Sequence, residues 1–460
     1  MKLSDNEKII DFVSDIYKKN NISYQNFIFS SKDSCKEKIL ILKYGNSKNQ
    51  QQYINDAIAK GIRGLVIDGK TSIGNIKSNV PILKISNLNK KLNAFLDHLY
   101  SYPTRDMLKI GVTGTNGKTS TCHFLAQFLS KLFPRKNIGI ITSEGNGIYP
   151  KLSSTMRTTP ENHLLYREYH KMRQKNVKIL IVECSSQGLH QGRLNSHSFD
   201  VSILTNLDGD HIDYHKNYEN YVQSKLLLLQ MTTKYMFINK SLNTLKILNN
   251  NAKKILYRHD SDSKYSKNPL VPEDLFIKFA KVFASDRKKN VGNIISKLKS
   301  IQGRYHFVYG KKSEIYLIDY AHTSSSFLDI CKHAKKIVSS SLCNMRLLII
   351  FGCGGDRDKE KRITMANYAM KYADYIIVTD DNPRSEDPIK ITNQISKSLT
   401  EKHNYEIINN RKSAIRRSLD FARSNYLILL LGKGNEPKII YKDKEIYHND
   451  IKYVESLIKW

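Results

Sequence analysis

A chain of 460 residues exceeds one ordinary hydrophobic core and predicts two or three domains. Hydrophobic residues make up 40% of it, no apolar run approaches the roughly 20 residues that cross a bilayer, and the N-terminal Met1-Lys2-Leu3-Ser4-Asp5-Asn6-Glu7 lacks the apolar centre of a signal peptide, so a cytoplasmic protein without membrane insertion is expected. The 74 Lys and Arg against 43 Asp and Glu give a net charge of +31, but the lysines are spread along the whole chain, which favours solvated faces that draw an anionic substrate over a nucleic-acid groove, and no nucleic-acid partner is expected.

In chain order, residues 1–103 alternate short strands and helices. Strands are predicted at Asn26–Phe29, Ile39–Leu42, Gly64–Ile67 and Pro81–Ile85, with a helix near Gln51–Lys60, and Ser101-Tyr102-Pro103-Thr104 reads as a linker. A second α/β domain, 104–303, begins with Leu108-Lys109-Ile110, the end of a buried strand. The run Gly111-Val112-Thr113-Gly114-Thr115-Asn116-Gly117-Lys118-Thr119-Ser120 follows, and then a helix whose apolar spacing extends to Leu129. A loop in that position offers unpaired N–H groups and the positive end of a helix dipole to a polyphosphate. Gly114 to Ser120 would cradle it, with Lys118 reaching the outer phosphates and Thr119 reaching Mg²⁺; ATP is the implied fuel.

Further strands at Ile138–Ile141, Ile179–Val182 and Val201–Leu204 are too apolar to be half exposed, as in a parallel sheet covered on both faces. The polar stretch Arg258–Asn268 is expected to be a loop. A third domain, 304–460, has strands at Ile315–Ile318, Leu347–Phe351, Tyr375–Thr379 and Tyr426–Leu431 separated by helical stretches, a doubly wound rhythm. The fold class is therefore α/β in three domains, the last Rossmann-like.

Ligands of open parallel sheets bind at the carboxyl ends of strands. There Ile181-Val182 runs into Glu183-Cys184-Ser185-Ser186-Gln187-Gly188, and Ile203-Leu204 runs into a segment holding Asp208, Asp210, His211 and His215. A carboxylate, Glu183, and an imidazole, His211, emerging beside a phosphate loop are suited to hold Mg²⁺ against a nucleotide. The six cysteines (Cys35, Cys122, Cys184, Cys331, Cys343, Cys353) form no C-x-x-C pair, so neither a disulfide framework nor a zinc site is indicated.

The phosphate loop has Val112 where the general G-x-x-x-x-G-K-[ST] pattern has Gly, and in its TGTNGKT form it resembles that of the Mur ligases and their folylpolyglutamate synthetase relatives. From about residue 50 to the C-terminus the chain is similar to the MurE type of that family, which adds the third peptide residue to UDP-N-acetylmuramoyl-L-alanyl-D-glutamate. Asp319-Tyr320-Ala321-His322, the run from Gly352 to Arg362, Asp381-Asn382-Pro383-Arg384 and Gly432-Lys433-Gly434-Asn435-Glu436 carry this likeness.

The resemblance implies a monomeric ATP- and Mg²⁺-dependent amide ligase working through an acyl phosphate, with the UDP-muramyl-dipeptide and meso-diaminopimelate as small-molecule substrates. It implies nucleotide contacts from Arg304, Asp319 and His322, and Mg²⁺ held by Thr119, Glu183, His211 and a carbamylated Lys225. Lys118, His211 and Lys225 would be the catalytic set. Thr158, Thr159, Ser185 and Arg193 would grip the muramyl-dipeptide. Arg357, Asp381, Asn382, Arg384, Gly432 and Glu436 would clamp diaminopimelate, whose far carboxylate suits a bidentate arginine.

The chain departs from the family pattern in several places. Ser30-Ser31-Lys32 stands for the usual Asp-Ser-Arg at the uridine end, Gln187 for a common His, Ser324 for a Pro and Asn435 for a His. The central domain looks shortened between about residues 239 and 275, and Asn290-Val291-Gly292-Asn293 stands too near Gly303-Arg304 to be the adenine-contacting element. These departures leave open a divergent Mur-ligase paralogue joining another carboxylate and amine in surface-glycan or cofactor synthesis.

Overall fold

A computed structural model describes residues 5–17, 23–42, 50–71, 74, 79–155, 157–194, 198–247, 252–259, 264–266, 268–284, 290–399 and 403–459. Three α/β sheets follow one another along the chain. The first has β1 (Phe27–Ile28), β2 (Ile39–Leu42), β3 (Gly64–Asp68) and β4 (Ile82–Ile85), all parallel and in that order. Alternation along β3 divides its side chains between two cores. Val66 packs with Ile9, Val13, Leu92 and Phe95, whereas Leu65 and Ile67 pack with Ile54 and Ala57 of the helix Gln50–Ala59. The expected strand at Asn26–Phe29 is shorter than the sequence indicates. Ser23 and Asn26 bond each other's backbone reciprocally, and this draws Tyr24–Asn26 into a 3-10 turn.

The second sheet holds β5 (Leu108–Thr113), β6 (Asn137–Thr142), β7 (Gly145–Ile148), β8 (Lys151–Ser153), β9 (Val177–Glu183), β10 (Phe199–Leu204), β11 (Thr232–Asn239) and β12 (Lys253–Tyr257). Their order is β12-β11-β10-β5-β9-β6-β7-β8; all pair in parallel up to β6, and β7 and β8 add antiparallel. Ile110, Val112, Ile179, Ile181, Val201 and Ile203 are essentially inaccessible, and full burial of such side chains contributes about 1.5–3 kcal/mol each. The helix Lys118–Leu132 lies on this face. Its Phe124, Leu125, Phe128 and Leu129 are buried, and Phe128 stacks on Phe276 of the helix Glu273–Phe283. On the other face Leu180 and Val182 share a core with Leu165, Tyr166 and Tyr169, and this core is continuous with that of the first sheet.

The third sheet consists of β13 (His306–Tyr309), β14 (Ile315–Asp319), β15 (Arg346–Phe351), β16 (Tyr375–Val378), β17 (Tyr405–Ile407) and β18 (Tyr426–Leu431), in the order β13-β14-β18-β15-β16-β17. Only β13 is antiparallel to its neighbour. A hairpin of β19 (Lys438–Ile440) and β20 (Glu445–Tyr447) follows. Odd positions such as Leu347, Ile349 and Phe351 face one core and Leu348 and Ile350 the other, so both faces are helix-covered as the unbroken apolar runs imply.

The strands β7, β8, β11, β12, β13, β17, β19 and β20, most of them short and polar or glycine-rich, are not anticipated from sequence. Within Arg258–Asn268 the described residues form neither helix nor strand; residues 260–263 and 267 lie outside the described set. Among the described residues no helix is long and apolar enough to cross a membrane.

Candidate active site

The loops that leave β5, β6, β9 and β10 meet at the carboxyl edge of the second sheet. Strand β5 runs three residues further than Ile110, so the phosphate loop is confined to Gly114–Gly117, and Lys118 opens the helix. Gly114 has φ 149° and a Cβ there would overlap the Thr205 hydroxyl, so only glycine fits. Asn206 braces the loop. Its carbonyl accepts from Thr115 N at 3.0 Å, and its Oδ1 accepts from Thr115 N at 3.1 Å and Asn116 N at 2.8 Å. The Thr115 hydroxyl meets the Tyr221 hydroxyl at 2.6 Å. Ser120 is buried on the first turn of the helix.

Two lysine side chains converge on one carbonyl. Lys118 Nζ donates to Gly114 O at 3.0 Å and to Thr115 O at 2.7 Å, and Lys225 Nζ, from the helix Tyr218–Gln230, donates to Gly114 O at 2.6 Å. Burial lowers the pKa of both; for Lys225 the charge of Lys118 adds to a displacement far below the ordinary lysine value. Thr119 Oγ1 donates to Glu183 Oε1 at 2.9 Å, and Ser143 N donates to Glu183 Oε2 at 2.9 Å. A hydroxyl and a buried carboxylate beside a phosphate loop are the oxygen donors a small hard cation takes together with phosphate oxygens and water.

His211 is held differently. With φ 55° it caps the short helix Ile212–His215 and turns to Asp210, Nε2 to Oδ2 at 3.4 Å. Burial lowers its pKa, opposed by Asp210. Among the described residues no three His, Cys, Asp or Glu side chains gather as a metal cluster, so Glu183 and His211 do not form a closed cage, and a cation here would draw other ligands from hydroxyl, phosphate and water.

Next to this edge, Thr159 Oγ1 donates to Glu183 O at 2.7 Å and accepts from Ser185 N at 2.9 Å. Arg193 Nη1 donates to Thr159 O at 2.6 Å, and its guanidinium also meets Gln191 and Glu161. Ser185 caps the helix Ser186–His190 through its bond from Gly188 N. Thr158 is half-buried alongside. Thr159, Ser185 and Arg193 thus form one network rooted on the strand that carries Glu183.

On the third sheet the loops after β14, β15, β16 and β18 line the facing edge. Glu436 is the centre of the second constellation. Its Oε2 accepts from Lys433 Nζ at 2.7 Å and Asn382 Nδ2 at 2.9 Å, while Oε1 accepts from Tyr320 OH at 3.0 Å. Burial alone would raise the Glu436 carboxyl, but Lys433 and these bonds hold it below the usual range. Lys433 also donates to Asn382 Oδ1 at 3.0 Å and stands 3.9 Å from Asp381. Gly432, at φ 107°, lets the chain pass against the Asp381 carboxylate. Arg384 has φ 54° and donates through Nη1 to Gly355 O at 2.8 Å, and its N–H bonds Ile440 O at 2.9 Å.

Beneath these loops the fully buried Arg411 bonds Asp450 through Nε (2.8 Å) and Nη2 (2.6 Å), and also reaches the carbonyls of Asp380 and Leu431. It thereby ties the ends of β16 and β18. Asp319 accepts from the N–H groups of Tyr305 (2.7 Å) and Ala321 (2.7 Å); burial raises its pKa against the pull of Arg304. His322 Nδ1 lies 3.0 Å from Tyr320 O, and burial lowers its pKa.

The two edges touch. Asn116 Nδ2 donates to Ser325 Oγ at 2.9 Å, and Thr323 Oγ1 donates to Asn116 Oδ1 at 3.1 Å. Arg357 Nη1 meets Asp213 Oδ2 at 3.2 Å, and Asn435 Nδ2 reaches Glu144 Oε2 at 3.4 Å. Two of the departures from the family pattern, Ser324 and Asn435, therefore stand at or next to these crossing contacts. Residues that sequence reading did not single out include Asn206, Ser143, Tyr320, Lys433 and Arg411. Tyr320 and Lys433 lie inside runs already conspicuous in the sequence, whereas Arg411 and Ser143 carry no local signal.

Residues 112–308 match the model of the Mur ligase middle domain, and residues 303–434 match the Mur ligase glutamate ligase domain. The chain is 31% identical to a UDP-N-acetylmuramoyl-L-alanyl-D-glutamate--2,6-diaminopimelate ligase of Wigglesworthia glossinidia brevipalpis, covering 95% of this chain and 96% of that one. It is 30% identical to the same-named ligase of Coxiella burnetii, over 89% of this chain and 90% of that one. Among solved structures, one of a ligase of that name aligns with a TM-score of 0.61 at 24% identity, over 97% and 98% of the two chains. The MurF ligase from Thermotoga maritima in complex with ADP aligns with a TM-score of 0.60 at 12% identity, over 88% and 93%.

Proposed function

The chain belongs to the Mur ligase family, and we propose that it is the ATP-dependent ligase that adds meso-diaminopimelate to UDP-N-acetylmuramoyl-L-alanyl-D-glutamate in peptidoglycan synthesis. The observation that carries this reading is the direct apposition of the phosphate loop, through Asn116, with the sheet that bears Asp381, Asn382, Arg384 and Glu436. A phosphoryl donor and an amine bound on those two edges would react at their seam.

In the proposed reaction an oxygen of the D-glutamyl carboxylate attacks the γ-phosphorus of ATP and ADP leaves, giving an acyl phosphate. The amine of diaminopimelate then attacks the acyl carbon, phosphate departs, and the amine proton passes to base or solvent. Positioning and charge stabilisation supply most of the acceleration in phosphoryl transfer. Lys118, drawn away from its own loop carbonyls, would bind the outer phosphates. Arg304, Asp319 and His322 would complete the nucleotide site. Thr119 and Glu183 would hold Mg²⁺, with His211 and carbamylated Lys225 supporting a second ion. Bound Mg²⁺ would offset phosphate charge.

Thr158, Thr159, Ser185 and Arg193 would seat the dipeptide next to Glu183. Asp381, Asn382, Gly432 and Glu436 would receive the ammonium end of diaminopimelate, and Arg357 and Arg384 its far carboxylate. A paralogue with another acid and amine is not favoured, since relatives named for this activity align over 95% of the chain, N-terminal sheet included. The test is phosphate release from ATP and Mg²⁺ with the UDP-dipeptide, comparing meso-diaminopimelate, L-lysine and no amine. Turnover that requires both the UDP-dipeptide and diaminopimelate supports the reading; turnover indifferent to either, or none, overturns it.

A further inference from the structure

Tyr320 touches both halves of the site. The Arg304 guanidinium carbon sits 4.0 Å from the centre of its ring, a cation–π contact, and Arg304 lies near enough to Lys118 for its charge to depress that lysine. At the other end of the same side chain the hydroxyl donates to Glu436 Oε1 at 3.0 Å. Resting on the function proposed above, we propose that Tyr320 is a positioning residue that couples the nucleotide side of the site, through Arg304, to the amine side, through Glu436.

A carboxylate has about four acceptor positions. Tyr320 takes one on Oε1, and Lys433 and Asn382 take two on Oε2, so Glu436 is fixed in rotation with one position left for an incoming ammonium. Burial and the neighbouring Glu436 push the phenol far up, so it stays a donor at any working pH. The backbones beneath are also interlocked. A Cβ on Gly434 would come within 2.6 Å of Gly303 O and 3.0 Å of Tyr320 Cβ, so the connector that carries Arg304, the tyrosine and the 432–436 loop are packed in direct contact. An arginine drawn toward a nucleotide thus bears on the ring whose hydroxyl orients Glu436.

Tyr320→Phe keeps the ring and removes only the hydroxyl. It should raise KM for meso-diaminopimelate roughly tenfold, the loss expected for a bond to a charged acceptor. Calorimetry of meso-diaminopimelate with and without a non-hydrolysable ATP analogue should show tighter binding with the analogue in the wild type and little or none of that gain in Tyr320→Phe. Glu436→Gln, which alters the acceptor, should lose the same gain, and it serves if Tyr320→Phe does not fold. An unchanged KM for diaminopimelate, a gain that persists in the variants, or no gain in the wild type overturns the coupling. Absence of diaminopimelate-dependent turnover in the wild type instead overturns the functional reading on which it rests.

Discussion

The Arg357 guanidinium meets the Asp213 carboxylate at 3.2 Å, joining the loop after β15 to the segment after β10. Both side chains are about two-fifths exposed (40% and 44%), so the pair contributes at most about 1 kcal/mol to stability. If Arg357 serves the substrate carboxylate, Arg357→Ala should raise KM for diaminopimelate by about tenfold or more, whereas Asp213→Asn should change it by less than about threefold. Melting temperatures should shift by no more than about 2–4 °C. Steady-state kinetics on the two variants checks this; equal effects would mean that Arg357 acts through the crossing contact and not on the substrate.

Arg384→Ala should raise KM for diaminopimelate about tenfold to a hundredfold while KM for ATP stays within about twofold, because the phosphate loop lies on the other sheet. The arginine also bonds Gly355 O, so a melting curve should accompany the kinetics. A parallel rise in both constants would count against the clamp.

Lys225 gives a prediction with a sign. Its folded pKa is lowered, chiefly by burial and then by Lys118, which favours the neutral amine that CO₂ can carbamylate. As pH falls through the folded value the amine takes a proton and the carbamate is lost. Activity in CO₂-depleted buffer should therefore rise on adding bicarbonate and decline toward acid pH. Lys225→Gln should lose about a hundredfold or more in kcat and show no bicarbonate response. A wild type indifferent to bicarbonate, with no carbamate in its intact mass, would remove Lys225 from the proposed metal set.

The Arg411–Asp450 pair bears on stability. Burial would raise the Asp450 carboxyl, but Arg411 and the hydrogen bond from His448 hold it well below the usual range. Its contribution is therefore complete above the unfolded value near 3.9 and is lost as pH falls through the folded one. Arg411→Met should destabilise by about 3–5 kcal/mol by stranding a buried carboxylate. Denaturant melts at neutral pH measure it; a cost below about 1 kcal/mol would show that the ends of β16 and β18 hold their places unaided.

The parallel strands were legible because both faces of each sheet are covered, so Ile179–Val182 or Leu347–Phe351 read as unbroken apolar runs. The phosphate loop was legible because its glycine and lysine spacing is local. The partners that hold these loops were not. Asn206 braces a loop ninety residues earlier in the chain, Ser143 N caps Glu183 with a backbone group that any residue could supply, and Arg411 is an arginine on a helix that looks amphipathic and turns out to be fully buried. Lys433 and Tyr320 show a subtler failure. Each sits inside a recognisable motif, yet what it does depends on Glu436 being brought to it by folding. Likewise the 3-10 turn at Tyr24–Asn26 follows from one reciprocal cap that takes Asn26 out of the strand, which begins at Phe27.

The interlock of Gly303 with Gly434 has a consequence for recombining this chain with relatives. A Cβ on Gly303 would overlap the Asn435 backbone nitrogen, so the connector and the 432–436 loop are cut to each other's shape. A chimera whose crossover falls between residues 303 and 432 would join one parent's connector to another parent's loop across this seam. Crossovers placed before Gly303 carry both halves from the same parent, and with them whatever amine preference the loop encodes.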